Sequence, residues 1–224
     1  MATLADTATR LDSAVREDLV REFEWDPQIT STDIGVSVKD GVVTLSGFVP
    51  SYMEKDAAEG AAKRVRGVRG VANELQVKLS SIRTDAEIAR DVVQGLTNHI
   101  FLPADKIKVT VRNGWVTLEG TLDWQFQRNL AENSAKKLSG VIGLTNNIVL
   151  KPRVSTTDVK AKIEEALRRN AQIDAGHVTV EADGTTVRLS GTVRSWAERE
   201  EAEDAAWSAP GVTYVDNLIY IAST

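Results

Sequence analysis

Two histidines, His99 and His177, and no cysteine make up the usual supply of bases, nucleophiles and soft metal ligands in this chain of 224 residues. Metal chelation from one element needs a second ligand about three or four positions away, and neither histidine has one. They fall in loops at non-equivalent places, where surface or capping roles are expected of an imidazole. Lack of cysteine removes disulfides, thiolate metal sites and thiol nucleophiles together, and leaves the redox compartment undecided. The acidic pairs Glu200-Glu201 and Glu203-Asp204 are expected on a solvated helix surface. The stretch Gly67-Val68-Arg69-Gly70 has the glycines of a phosphate loop, but no helix N-terminus follows it. No catalytic residue, metal site or cofactor is expected, and enzymatic chemistry finds little to work with.

What positions these residues is a repeat. Thr44-Leu45-Ser46-Gly47, Thr117-Leu118-Glu119-Gly120 and Arg188-Leu189-Ser190-Gly191 are three versions of one segment. Gly67-Val68, Gly140-Val141 and Gly211-Val212 follow, each with an asparagine six residues after its glycine: Asn73, Asn146 and Asn217. A constant offset over whole units means tandem copies of one folding unit.

Each copy opens with an apolar stripe at spacing four, Val15-Leu19-Phe23, Ile88-Val92-Leu96 and Val159-Ile163-Leu167, which predicts an amphipathic helix. Asp12 and Asp85 are the expected N-caps, with Ser155 to Thr157 offering the same chemistry in copy three. A loop anchor follows at Ile29, Leu102 and Ile173. The period then falls to two, and hairpin turns are expected at Asp40-Gly41, Asn113-Gly114 and Asp183-Gly184. A second helix is expected to start at Ser51 and Ser195 in a capping box with Glu54 and Glu198. Its alanine-rich face includes Ala58, Ala61 and Ala62, and it ends on a left-handed cap at Gly67, Gly140 and Gly211. A last strand carries the repeated asparagines, whose expected role is to staple structure rather than to hold a ligand. Gly47, Gly120 and Gly191 complete the set of structural repeat positions.

The expected fold is therefore α+β: three tandem α-β-β-α-β units, each a three-stranded mixed sheet with two helices on one face. A unit of this size has a thin core, so packing between units is expected. Their proposed bounds are 11–79, 84–151 and 155–222.

Charge and aromatics single out the middle copy. Lys and Arg against Asp and Glu give 10 and 13 in residues 1–81, 10 and 7 in 82–153, and 7 and 12 in 154–224. Those balances are −3, +3 and −5, so a basic unit stands between two acidic ones. It also has Trp115 where its sisters have Val42 and Thr186, Trp124 where they have Ser51 and Ser195, and Phe126 where they have Met53 and Ala197. Burial between neighbouring copies is one explanation. The other is a docking patch of Trp115, Trp124 and Phe126 beside Lys106, Lys108 and Arg112, a combination suited to lipid headgroups. Nucleic acid is not expected, because the chain is acidic and has no basic stripe interleaved with aromatics.

The hairpin glycines, the Thr/Arg-Leu-x-Gly strand end and the Gly-Val-x-x-Val/Leu-x-Asn ending resemble the BON domain, a bacterial osmotic-shock-protection and nodulation module, over nearly the whole chain. That resemblance implies the fold above, osmotic or envelope stress roles, and affinity for phospholipid or membrane surfaces. Many relatives of this kind carry two copies and are exported to the periplasm. Residues 1–6 show neither a basic start nor an apolar core of a signal peptide, from which a cytoplasmic location is expected, with the periplasm as the alternative. The leading expectation is a non-enzymatic, stress-associated protein that contacts anionic phospholipid. The alternative is a protein-interaction scaffold of three unlike units, with self-association or another protein as partner.

Overall fold

A computed structural model describes residues 4–30, 32–79, 83–151, 159–170 and 177–222. The expected N-caps Ser155 to Thr157 and the anchor Ile173 lie outside the described residues. In chain order the first copy forms α1 (Leu4–Trp25), β1 (Ile34–Lys39), β2 (Val42–Val49), α2 (Tyr52–Arg64) and a last strand in two segments, β3 (Gly70–Asn73) and β4 (Gln76–Val77). The middle copy forms α3 (Asp85–Thr97), β5 (Ile107–Arg112), β6 (Trp115–Leu122), α4 (Gln125–Lys136) and β7 (Gly143–Leu150). The third forms α5 (Val159–Arg169), β8 (Val178–Asp183), β9 (Thr186–Val193), α6 (Trp196–Trp207) and β10 (Tyr214–Ile221).

In each sheet the second strand is central. β1–β2, β5–β6 and β8–β9 are antiparallel hairpins, and β3, β4 and β7 run parallel to the central strand of their copy. The parallel partner follows from the helix crossover, which carries the chain back to the start of the central strand. The fold is thus α+β with mixed sheets, as the repeat predicts.

Alternation along the strands sends one set of side chains under the helices. Val43, Leu45 and Val49 of β2, and Val116, Leu118 and Leu122 of β6, are all buried. Leu19 in the first copy and Ile88, Val92 and Leu96 in the second meet them from the first helix. Ala58, Ala61 and Ala62, like Ala131 and Ala135, let the second helix approach the sheet closely. The loop anchors behave as core plugs: Leu102 is buried, and Ile29 packs against the first copy's core.

By compactness the chain divides into two units, residues 1–78 with 192–200 and 219–224, and residues 79–191 with 201–218. Within the first, Trp196 packs against the first copy's core, with Lys63 and Arg199 over its ring at 5.6 and 5.3 Å.

The structure differs from several local expectations. Thr84, not Asp85, caps α3, in a capping box with Glu87. Asp12 lies inside α1, which begins at Leu4. Both aspartates instead clamp a hairpin turn. Asp12 accepts from the amides of Asp40 and Gly41 at 2.8 and 2.9 Å, and Asp85 from those of Asn113 and Gly114 at the same distances. Those amides face outward because both central residues of each turn have positive φ, 54° and 75° in the first, 50° and 77° in the second. The third turn is centred on Gly184-Thr185, since Asp183 pairs with Thr186. The expected capping boxes are half-formed. Ser51 and Ser195 accept from the amides of Glu54 and Glu198, whereas the Glu54 carboxylate reaches Thr30 and that of Glu198 reaches Arg194.

Gly67, Gly140 and Gly211 do have left-handed φ, 91°, 94° and 94°, but they stand in the turn beyond the helix rather than at its cap. Gly47, Gly120 and Gly191 owe their type to a close approach. A Cβ there would overlap the carbonyl oxygens of Asp33, Lys106 and His177, which lie just before the first strand of each hairpin.

Candidate functional site

The repeated asparagines each bridge the last strand to the second helix. Asn146 Nδ2 donates to Glu132 at 2.9 Å and to the Arg128 carbonyl at 3.3 Å, while its Oδ1 accepts from the Ile148 amide at 3.2 Å. Asn73 repeats this with Glu59, the Lys55 carbonyl and the Leu75 amide, and Asn217 donates to Glu203 at 2.8 Å. Each amide is satisfied inside its own copy, and the three do not form one site. Glu59, Glu132 and Glu203 are the partners that sequence reasoning missed. They recur at the repeat offset, so aligning the copies shows them.

The middle staple is also an electrostatic site. Burial pushes the Glu132 carboxyl up, but hydrogen bonds from Asn146 and Lys136, with the charges of Lys136 and Arg128, outweigh it and hold the group below its usual 4.5. Lys136 lies 2.9 Å from it.

The six residues singled out as a docking patch do not converge. Trp115 begins β6 beside the hairpin turn, paired across the ladder with Arg112 on the sheet face away from the helices. Its indole lies over Gly143, where a Cβ would run into the ring, and its Nε1 donates to Thr145 Oγ1 at 2.9 Å. The ring is therefore flat on the sheet and half exposed. Lys108 stands on the same face, opposite Glu119. Trp124 and Phe126 come after the far end of β6, so strand length alone puts them roughly 23 Å from Trp115 at about 3.3 Å per residue. Lys106 belongs to that far end too, since its carbonyl packs at Gly120.

Trp124 is half-buried at the N-cap of α4 without capping it, and Phe126 is exposed. Gln127, the counterpart of Glu54 and Glu198, donates from Nε2 to the Phe101 carbonyl at 3.0 Å. That bond ties α4 to a tight turn in which the Leu102 amide donates to the His99 carbonyl at 3.0 Å, with Ile100 and Phe101 at its corners. Ile100 is 92% exposed and Phe101 68%. The first copy makes the same turn, Ile29 amide to Asp26 carbonyl at 3.0 Å, with Pro27 and Gln28 at the corners. Ile100 and Phe101 do not stand out in the repeat, because the apolar position that recurs in this loop is the anchor Ile29, Leu102 and Ile173 beside them.

His99 belongs to this turn, and the His177 carbonyl to the Gly191 contact. Among the described residues no group of three or more His, Cys, Asp or Glu is placed to hold a metal ion, and no helix is long and apolar enough to cross a membrane.

The family model described as BON domain matches residues 11–78, 84–152 and 155–223. The chain is 33% identical over 146 residues to Osmotically-inducible protein Y of Escherichia coli (strain K12), covering 62% of this chain and 73% of the relative. It is 33% identical over 141 residues to Outer membrane lipoprotein DolP of Haemophilus influenzae, covering 60% of this chain and 72% of the relative. The cytoplasmic location expected from the opening residues is overturned by these relatives, one of which is by name a lipoprotein of the outer membrane.

Proposed function

The chain belongs to the BON domain family, and from that premise we propose that it is a non-enzymatic, stress-associated binding protein of the cell envelope. The osmotic induction named in one relative and the outer-membrane placement named in the other support the setting. Its partner on this reading is an anionic phospholipid surface, and the middle copy does the docking.

One observation carries the choice of copy. The unit with a balance of +3 is also the one that exposes Ile100, Phe101 and Phe126. Aromatic rings suit the headgroup layer, and basic side chains add roughly 1 kcal/mol each near an anionic leaflet. Lys106 and Lys108, both exposed, supply charge at the end that carries Ile100, Phe101 and Phe126.

Flotation tests the proposal. The full chain is mixed with vesicles of phosphatidylglycerol and phosphatidylcholine at low salt, and with phosphatidylcholine alone. Binding to the first that weakens with salt is expected. No flotation with either composition overturns the membrane reading and leaves the protein scaffold.

A further inference from the structure

We propose that the turn His99–Leu102, braced by α4, is the part of the middle copy that enters the bilayer, with Ile100 and Phe101 at its tip and Phe126 beside it. This rests on the membrane reading above and says which surface touches lipid and how deeply.

Turn corners ordinarily carry Pro, Gly, Asn, Asp or Ser, because those residues fit the backbone and tolerate water. The first copy obeys, with Pro27 and Gln28 both exposed. The middle copy builds the same hydrogen-bonded turn from Ile100 and Phe101, and the fold does not hide them, at 92% and 68% exposure. Neither side chain is needed for packing, since Leu102 is the residue that plugs the core. Large apolar side chains raised at a turn and left in water signal a contact surface.

The occupant is argued from shape and charge. The two corners protrude rather than line a groove, which suits a soft layer better than a side-chain pocket. Phe126, 53% exposed, widens the apolar contact from the adjoining helix start. Lys106 and Lys108 lie just beyond the turn, with Asp105 before them in sequence and Glu119 opposite Lys108 across the ladder. By contrast the exposed Trp25 of the first copy stands between Glu24 and Asp26, where an anionic surface would repel it. Gln127 holds the Phe101 carbonyl at 3.0 Å, so a tip moved out of water does not strand that acceptor. Trp115, flat on its sheet, has no such reach, and sits about a strand length away.

The test replaces Ile100 and Phe101 by Ala and Gln, the pair Ala171-Gln172 at the same offset in the third copy. Partition onto vesicles of phosphatidylglycerol and phosphatidylcholine should fall by about tenfold or more, as expected for removing two inserted apolar side chains. Circular dichroism and melting should match the parent, because both residues are exposed. Single Phe101→Gln keeps the question open to measurement if the double variant folds poorly, and Trp115→Thr should bind like the parent. Parent binding with equal binding by the double variant overturns the tip and leaves the membrane reading standing. A parent that does not bind overturns both. As a depth readout, Phe101→Trp should show added fluorescence that lipids brominated along the acyl chain quench. Quenching absent in a variant that still binds also overturns insertion.

Discussion

A primary amide has two donors and an acceptor, and a half-buried one is stable only if nearly all are used. Asn146 uses them on Glu132, the Arg128 carbonyl and the Ile148 amide. Replacing Asn146 with Ala should cost about 1–3 kcal/mol, the usual range for leaving buried partners unsatisfied, measured as the loss in urea unfolding free energy. The same staple predicts a pH dependence. The folded Glu132 carboxyl is held below the 4.5 of the unfolded chain, so ionisation favours folding. Its contribution is complete above that value and is lost as pH falls through the folded pKa. Glu132→Gln should therefore melt lower than the parent at pH 7, with the gap narrowing towards pH 3. A constant gap would show that the carboxylate's charge is not what the staple uses.

At the scale of elements, single carboxylates and hydroxyls set where α3 starts and what it holds: Thr84 caps it, and Asp85 clamps the Asn113-Gly114 turn. Removing the Thr84 hydroxyl in Thr84→Ala should cost about 1 kcal/mol, because the capping box with Glu87 is lost, and thermal melting measures it. Gly120→Ala should cost more, about 2 kcal/mol or above, since the new Cβ meets the Lys106 carbonyl at a φ of +153°. Element types and order were legible because stripe spacing, hairpin dipeptides and repeat offset agreed. The errors came where two signals competed. Asp85 precedes an apolar stripe like an N-cap, and nothing local reveals that the amides of Asn113 and Gly114 lie within its reach. Asp183-Gly184 looks like a hairpin turn by itself, whereas the constant offset puts the turn one residue later, on Gly184-Thr185.

For the whole molecule, the repeat made the number of copies legible, and the charge balances marked the middle one. It did not make the site legible, because both ends of a unit lie on one linear segment and only strand length separates Trp115 from Trp124 and Phe126. Trp115 is best understood as covering its sheet, so Trp115→Thr should lower stability by about 1 kcal/mol, the loss of one hydrogen bond and partial contact, and should leave vesicle binding intact. The central claim is that the middle copy meets an anionic bilayer through the end built from the His99–Leu102 turn and the start of α4. Amide hydrogen exchange of the full chain, free and on phosphatidylglycerol nanodiscs, tests it most directly. Slowed exchange confined to residues 99–106 and 123–128 is the expected result. Protection centred on the first or third copy, or on Trp115 and its hairpin turn with none at residues 99–106, would contradict the account.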